Sequence, residues 1–317
     1  ERASFSIRDI NASQYGRIDP VRSPEGPNIG LVTYLSLYTR VDNYGFLETP
    51  YFKVVSETKG GKTRMKVTNE VVYVPADDEA KHYVTHAGIG LTDDGYITDV
   101  RVPVRYKGDF TSVAAEKIEY IDLVPRQIVG TSASLIPFLA HDEANRALMG
   151  THMQCQAVPL LSPHSPVIGT GMEGVASSAM GRVVRAEDNG VVSYVDGSLV
   201  KIKEANGREK IYPIEKFKRT AQATCYSQKP VVSVGDKVKF GDLIIDGPSS
   251  EDGELALGQN LLVAYMSFNG LGYEDAIVIS DRLVREDLLT SIKIEEYEAA
   301  VVDTKLGTEA TTRDIPN

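Results

Sequence analysis

Apolar and polar residues alternate in several short runs in the first half of the chain, a pattern typical of half-buried β-strands. Four runs rich in β-branched and aromatic residues lie at 51–55, 71–74, 96–100 and 102–104. Turn signals separate them at Gly60-Gly61 and Asp93-Asp94-Gly95, and a short helix is predicted within residues 75–86. The pattern therefore predicts a small β-rich domain over residues 45–125.

A second β-rich region extends from about residue 165 to 280. Short strands are predicted at 181–184, 190–197 and 199–203. Two later strands, at 234–238 and 240–244, each contain a Gly-Asp pair, a rhythm typical of barrel-sandwich β modules in which each pair makes a corner.

One helix is predicted between these regions. Asp142 is a suitable N-cap, and good helix formers follow it through residue 149. Gly150 either ends this helix or only weakens it. If the helix continues, one stripe contains Arg146, Gly150, Met153 and Ala157, with Gln156 beside it.

A segment dense in proline and glycine lies near the start of the chain. Residues 23–30 read SPEGPNIG, and two prolines with two glycines in eight residues exclude a helix or a central strand there. Residues 31–38 are apolar at almost every other position, but a run this short leaves helix and strand open.

Composition narrows the class of protein. The chain has 317 residues, 42% hydrophobic and 25% charged, which suits two or three soluble domains. Its apolar runs are all shorter than the roughly 18–20 residues of a membrane span. Two cysteines favour a reducing compartment. No signal-peptide pattern occurs at the start. A first residue other than Met, and an ending at residues 311–317 with no stop signal, lead us to expect a piece of a longer polypeptide.

The net charge of −10 results from 34 basic and 44 acidic side chains. Taken alone, it argues against non-specific nucleic-acid binding, which depends on lysine and arginine at the phosphates. The charge is an average over the surface, however, and a large assembly can supply its basic groups from another chain.

Several catalytic and binding motifs find little support. Residues 169–174 read GTGMEG, a formal G-x-G-x-x-G, but we expect no helix in the ten residues that follow, so a close-packed glycine loop is favoured over a dinucleotide site. The histidines and cysteines lack the spacing of a metal site, and no nucleophile elbow occurs.

Two other features carry candidate chemistry. Glu274 and Asp275 follow a loop and precede an apolar run at 276–280 that resembles a strand. Adjacent carboxylates there could hold a hydrated Mg²⁺ or a cationic partner, but composition alone favours a solvated turn. Arg146, on a helix rich in Ala, Leu and Met, is either a structural ion-pair residue or a phosphate clamp, since guanidinium is a planar donor fork.

Longer motifs make the chain recognisable. It closely resembles the β subunit of bacterial-type DNA-directed RNA polymerase, and the match runs in order along nearly the whole chain, with only residues 55–125 weak. The motifs are YGRIDPVRSPEGPNIGL at 15–31, GFLETPY at 45–51, SLIPFL at 134–139, NRALMG at 145–150, QAVP at 156–159, LALGQN at 255–260, YED at 273–275 and DTKLG at 303–307.

The resemblance, together with the patterns above, implies an α+β, predominantly β, multi-domain fragment with short helices. Residues 1–44 would end the fork and rifamycin-pocket region, and 45–125 would form a smaller peripheral β-rich (external) domain. Residues 126–317 would be the first half of the hybrid-binding core, with a barrel-sandwich-like module, ending near the start of the flap.

The resemblance also implies roles for individual residues. Arg146 would face the triphosphate of the incoming NTP. Glu274 and Asp275 would form an acidic pair near the active centre, placed to influence the second Mg²⁺ or the entering substrate. Gln156 would contact the RNA strand of the hybrid, and Glu25 and Asn28 would also bind the RNA or the hybrid. The wall of the rifamycin pocket, beside the RNA path, would contain Pro24, Glu25, Asn28 and Val32.

The implied enzyme works as a complex. The β′ subunit would supply most of the ligands of the catalytic Mg²⁺, so the isolated chain is expected to be inactive. Further partners would be the α and ω subunits, sigma factor, DNA template, RNA transcript, NTPs and rifamycin-type inhibitors, with no membrane. The location would be the bacterial cytoplasm, at the nucleoid, or the plastid stroma.

Three departures from the family pattern and two rival functions remain. Arg22-Ser23 stands where Glu-Thr is common, Leu271-Gly272-Tyr273 where Tyr-Asn-Phe is common, and Cys155 where Arg or Thr is common. The main rival is a non-catalytic protein-binding module built on the β-rich core. A more distant one is a hydrolase that uses Glu274 and Asp275.

Overall fold

The computed structural model describes residues 4–59, 62–204 and 207–314. Strands predominate and helices are short, which confirms the predicted fold class. The chain forms two compact units: Glu1–Ala157 with Val167–Ala176, and Val158–Pro166 with Ser177–Asn317. The division into three domains at residues 44 and 125 stays a prediction, and the predicted turn at Gly60-Gly61 lies outside the described residues.

The first unit is built on a seven-stranded sheet. Its strands are β1 (Arg40–Val41), β2 (Leu47–Lys59), β3 (Lys62–Pro75), β4 (Val84–Thr85), β5 (Arg101–Tyr106), β6 (Asp109–Ala114) and β7 (Tyr120–Asp122). The order is β1-β2-β7-β4-β5-β6, with β3 paired to β2 in a long antiparallel hairpin. β4 and β7 run parallel.

The alternation of buried and exposed side chains explains why these residues form strands. In β5 the side chains of Val102 and Val104 are buried in the core, whereas Arg101 and Pro103 are exposed. The strands predicted at 51–55, 71–74 and 102–104 are confirmed. The one at 96–100 is wrong, because the backbone changes partner at each step: Ile97 N–H donates to Met65, whereas Thr98 N–H donates to Gly90.

The α-helices are α1 (Ala76–Glu79), α2 (Thr131–Ser134), α3 (Ala144–Cys155), α4 (Glu173–Ala179) and α5 (Asp281–Arg285). Short 3₁₀ turns lie at Phe5–Arg8, Ala12–Gln14, Ala115–Lys117, Pro125–Ile128, Leu139–His141 and Tyr273–Asp275. α1 confirms the short helix predicted within 75–86. Residues 31–38 form neither a helix nor a strand.

α3 differs from its prediction at both ends. Its N-cap is Glu143, not Asp142, because the Glu143 carboxylate accepts a hydrogen bond from the Arg146 amide. Gly150 lies inside the helix, which continues to Cys155 and is capped by Gln156. Ala157 therefore lies beyond the helix, and the predicted stripe ends before it.

The second unit contains several small sheets. Its strands are β8 (Val184–Arg185), β9 (Gly190–Val195), β10 (Leu199–Glu204), β11 (Glu209–Pro213), β12 (Lys218–Arg219), β13 (Cys225–Tyr226), β14 (Lys229–Pro230), β15 (Lys237–Val238), β16 (Leu243–Asp246), β17 (Ser250–Glu251), β18 (Glu254–Leu255), β19 (Asp303–Thr304) and β20 (Gly307–Thr308). The largest has the order β11-β10-β9-β15, and a second has β14-β16-β8. No sheet closes into a barrel within the described ranges.

Buried branched side chains hold this unit together. Val200 and Ile202 of β10 pack with Val192 of β9 and with Ile244 and Ile245 of β16. The strands predicted at 190–197 and 199–203 are confirmed, and of the run 181–184 only its last residue is in a strand. Turns form at both Gly-Asp pairs, where the aspartate side chains accept backbone N–H groups.

The last part of the second unit is mostly without regular structure. The strand predicted at 276–280 is wrong: Ile277, Val278 and Ile279 are exposed, and no strand pairs with them in the described parts of the chain. An extended run needs a neighbouring strand to become one. Of the helices in these described residues, none has the length and apolar character needed to cross a membrane.

Candidate functional site

The Pro/Gly segment (residues 23–30) has a fixed, non-repetitive backbone. Gly26 and Gly30 have φ of +86° and +73°, values that favour glycine. A Cβ on Gly30 would lie 2.3 Å from the Arg8 carbonyl oxygen, so the close approach also requires glycine. The Gly30 amide donates to the Ser23 hydroxyl, and the Arg8 guanidinium donates to two carbonyls of the segment.

This backbone presents the predicted wall residues on the surface. Glu25, Asn28 and Val32 are exposed, and Pro24 is half-buried. The Asn28 carbonyl accepts hydrogen bonds from the Leu31 and Val32 amides, so the turn continues to Val32. The four side chains therefore project from one ordered stretch of backbone, residues 24–32, which we call the strip.

A buried carboxylate anchors the start of this strip. Asp19 accepts hydrogen bonds from the amides of Val21 and Arg22 and, at 2.8 Å, from the amide of Gly130. A Cβ on Gly130 would lie 2.7 Å from the Asp19 carboxylate, so this contact depends on glycine.

α3 carries two of the predicted site residues near its two ends. Arg146, in the first turn, is exposed, and its Nη1 lies 3.4 Å from the Met149 sulfur. No ion pair to Arg146 occurs among the residues that the structure describes. The structural ion-pair explanation therefore finds no partner for it. Gln156, the C-cap, is exposed as well.

Glu274 and Asp275 lie in the 3₁₀ turn Tyr273–Asp275 of the second unit. Both carboxylates are exposed, and both residues have left-handed backbones, with φ of +54° and +63°. This conformation is uncommon for residues other than glycine and costs roughly 1–3 kcal/mol each. No three His, Cys, Asp or Glu side chains cluster as a metal site within the described ranges.

The G-x-G-x-x-G sequence forms a local cap. The expectation that no helix follows it is wrong, since α4 begins at Glu173. The buried Glu173 carboxylate accepts hydrogen bonds from the amides of Thr170 and Gly171, the groups that a dinucleotide phosphate would need. Burial acts to raise the pKa of Glu173, but these hydrogen bonds outweigh it and the pKa is lowered.

The first unit contains a buried polar network that the sequence patterns do not predict. Arg17 donates to the Val74 carbonyl at 2.8 Å and to Glu79 at 2.6 Å, and Glu79 lies 3.6 Å from Arg105. A cavity of about 360 Å³ borders Glu79, Arg105 and Tyr15. The partners are far apart in sequence, so no local spacing could reveal them.

The predicted site residues divide between the units. Pro24, Glu25, Asn28, Val32, Arg146 and Gln156 lie in the first unit, and Glu274 and Asp275 lie in the second. Within the first unit, the Pro/Gly segment contacts α3 directly, since the His152 ring nitrogen lies 2.8 Å from the Ser23 carbonyl oxygen. The structure therefore joins the strip to the helix that carries Arg146.

Comparison with known proteins identifies the family. Residues 1–41 match the family model "RNA polymerase Rpb2, domain 3", residues 51–123 match "RNA polymerase beta subunit external 1 domain", and residues 185–317 match "RNA polymerase Rpb2, domain 6".

Relatives that match along the whole chain indicate the same family. Over all 317 residues the chain is 50% identical to the DNA-directed RNA polymerase subunit beta of Thermosynechococcus vestitus, 51% to that of Caldicellulosiruptor bescii and 47% to that of Oenococcus oeni. It spans 28%, 25% and 26% of these relatives, respectively. The chain therefore belongs to the family of bacterial RNA polymerase β subunits, of which it represents about a quarter of the length.

Proposed function

We propose that the chain forms one wall of the active centre of a DNA-directed RNA polymerase that transfers nucleotides from NTPs to an RNA 3′ end. The observation that carries the proposal is Arg146, an exposed guanidinium on a well-formed helix with no ion pair among the described residues. Apart from one contact of Nη1 with the Met149 sulfur at 3.4 Å, its planar donor fork is open to an anionic ligand.

At this position the guanidinium suits the triphosphate of the incoming NTP. Its planar donors can form two parallel, charge-assisted hydrogen bonds to phosphate oxygens. These bonds fix the position of the NTP and offset the charge that develops on the leaving pyrophosphate. Phosphate carries no base information, so the contact serves all four NTPs equally.

The other exposed groups of the first unit suit the RNA strand of the hybrid. Gln156 offers both amide donors and an acceptor, as does Asn28, while Glu25 offers acceptors only. Pro24 and Val32 add apolar surface to the same strip. Such a mixed wall also suits a rifamycin-type inhibitor, whose pocket we propose at Pro24, Glu25, Asn28 and Val32.

Glu274 and Asp275, in the second unit, would supply an acidic pair that influences the second Mg²⁺ or the entering substrate. Two exposed carboxylates in a strained turn fit a Mg²⁺ that keeps most of its water, because Mg²⁺ usually takes only one or two carboxylates from a protein. When bound, Mg²⁺ would activate the attacking 3′ oxygen and the leaving phosphate. Most of its ligands would belong to the β′ subunit.

The family implies the remaining partners. A β-subunit fragment would act with the β′, α and ω subunits and a sigma factor, on template DNA, RNA and NTPs. The assembly would work in the bacterial cytoplasm or the plastid stroma. Alone, the fragment would be inactive, because it would lack the metal ligands of β′.

Single-nucleotide addition by the assembled polymerase tests this proposal. Arg146→Ala should lower kcat/KM for each NTP by roughly ten- to hundredfold, the loss of a contact worth about 1.5–3 kcal/mol. The control is Arg101→Ala, which removes an exposed arginine of β5 that donates to the Ser112 carbonyl. Normal NTP dependence in intact Arg146→Ala complexes would contradict the clamp, and failure to assemble would favour the protein-binding alternative.

A further inference from the structure

Two side chains connect the start of the Pro/Gly segment to α3. The first is His152, whose Nε2 lies 2.8 Å from the Ser23 carbonyl oxygen, 129 positions away in the chain. A carbonyl oxygen can only accept, so Nε2 carries the hydrogen and donates it. Ser23 is also the residue whose hydroxyl accepts the Gly30 amide, so His152 holds the segment at the point where its own turn closes.

The second is Arg22, which contacts three separate parts of the unit. Its guanidinium stacks 3.9 Å from the centre of the Tyr34 ring. Nη1 donates to the Ser132 hydroxyl at 2.8 Å, and Nη2 donates to the Cys155 sulfur at 3.0 Å. Ser132 belongs to α2 and Cys155 is the last residue of α3. One side chain therefore joins the strip to both helices.

We propose that Arg22 and His152, here called the α3 latch, are positioning residues that set the Pro/Gly segment against the C-terminal end of α3. The contacts of Arg8 and of the Ser23 hydroxyl fix the shape of the segment but do not connect it to α3. The latch does connect it. This inference rests on the proposed function, in which Gln156 at that helix end and Glu25 and Asn28 on the segment contact the same RNA strand.

The contact with Cys155 needs an uncharged acceptor at that position. Nη2 of Arg22 donates to the Cys155 sulfur at 3.0 Å. A second guanidinium placed there would repel Arg22, because two like charges in contact disfavour each other.

Amide hydrogen exchange in the assembled polymerase tests the latch directly. His152→Ala and Arg22→Ala should each make amides of residues 23–32 exchange roughly three- to tenfold faster, as expected for the loss of a hydrogen bond. His152→Gln should stay near the wild-type rate, since its amide can still donate to Ser23. Cys155→Arg should accelerate exchange and Cys155→Ser should not.

The matched control is Arg40→Ala. Arg40 also stacks on a tyrosine, 3.8 Å from the Tyr73 ring centre, and pairs with Glu48 at 2.9 Å, but it lies on β1. We expect it to leave exchange of residues 23–32 unchanged. Unchanged exchange in both His152→Ala and Arg22→Ala complexes would overturn the latch.

A second measurement separates the latch from the proposed function. The release rate of a short RNA from a preformed hybrid complex should rise roughly three- to tenfold in the two alanine variants, matching the change in exchange. Faster exchange together with an unchanged release rate would support the latch and overturn the placement of the segment beside the RNA. Faster release without faster exchange would overturn the latch.

Discussion

The hydroxyl of Tyr15 donates a 2.7 Å hydrogen bond to the carboxylate of Asp122, a residue 107 positions later in the chain. Arg105 donates to the same carboxylate at 2.8 and 3.2 Å and lies 3.5 Å from the centre of the Tyr15 ring. Asp122 is buried at the end of β7. Three side chains thus join Tyr15, which precedes the Pro/Gly segment in the chain, to the seven-stranded sheet.

Tyr15→Phe should reveal this network through the pH dependence of the free energy of unfolding. Burial, followed by the negative charge of Asp122, raises the pKa of Tyr15 well above its usual value of about 10. A raised folded-state pKa contributes stability that is fully present below pH 10 and is lost as the pH rises above it. At pH 8 the variant should lose about 0.5–1.5 kcal/mol, the net value of one hydrogen bond.

The measurement is chemical unfolding of the chain between pH 8 and 11. Above pH 10 the gap between wild type and Tyr15→Phe should narrow by at most about 1.4 kcal/mol per pH unit. The control is Tyr44→Phe, since Tyr44 is an exposed tyrosine in the turn between β1 and β2. A gap that stays constant through pH 11 would contradict the coupling of the Tyr15 hydroxyl to Asp122.

This network also marks the limit of sequence-based prediction. The alternation of Val102 and Val104 predicts β5 because strand burial is a local, two-residue pattern. The contact of Tyr15 with Asp122 depends on how distant segments meet, and no spacing within either segment encodes that. Similarly, the shift of the helix cap from Asp142 to Glu143 reflects which carboxylate reaches the Arg146 amide.

In the candidate site, too, local features could be predicted from the sequence and features that depend on distant segments could not. Pro/Gly density predicts the irregular turn that presents Glu25 and Asn28, since it restricts the backbone locally. The apolar run at 276–280 predicts a strand, but a strand depends on a neighbour that the run itself cannot specify. The left-handed backbones of Glu274 and Asp275 were likewise not predictable, because neither residue type requires them.

Alanine at each glycine of the Pro/Gly segment should separate backbone strain from steric clash. In Gly26→Ala nothing lies within 4 Å of the new Cβ. The only cost is therefore that of an alanine in a left-handed backbone, which should lower the free energy of unfolding by about 1–2 kcal/mol. Gly30→Ala adds the same strain and places its Cβ 2.3 Å from the Arg8 carbonyl oxygen. It should therefore lower the free energy of unfolding by at least about 1 kcal/mol more.

Denaturant titration of the two variants in parallel measures this difference. Gly26→Ala is the control, because it shares the positive φ but lacks the contact with Arg8. Equal losses in the two variants would mean that the segment moves away from Arg8 at little cost. That result would contradict the fixed wall on which the rifamycin-pocket proposal depends.

The acidic pair should reveal itself through the Mg²⁺ dependence of RNA synthesis. In the assembled polymerase, Glu274→Gln and Asp275→Asn remove one negative charge each with little change in shape, and asparagine tolerates the left-handed backbone of Asp275. If the pair attracts Mg²⁺, each variant should raise the Mg²⁺ concentration for half-maximal single-nucleotide addition roughly tenfold, or about 1.4 kcal/mol. Excess Mg²⁺ should restore most of the rate, because the carboxylates influence the ion without being its main ligands. Glu298→Gln, at an exposed carboxylate of the same unit, is the control and should leave the Mg²⁺ dependence unchanged. A wild-type Mg²⁺ dependence in both variants would instead assign Glu274 and Asp275 to a solvated turn.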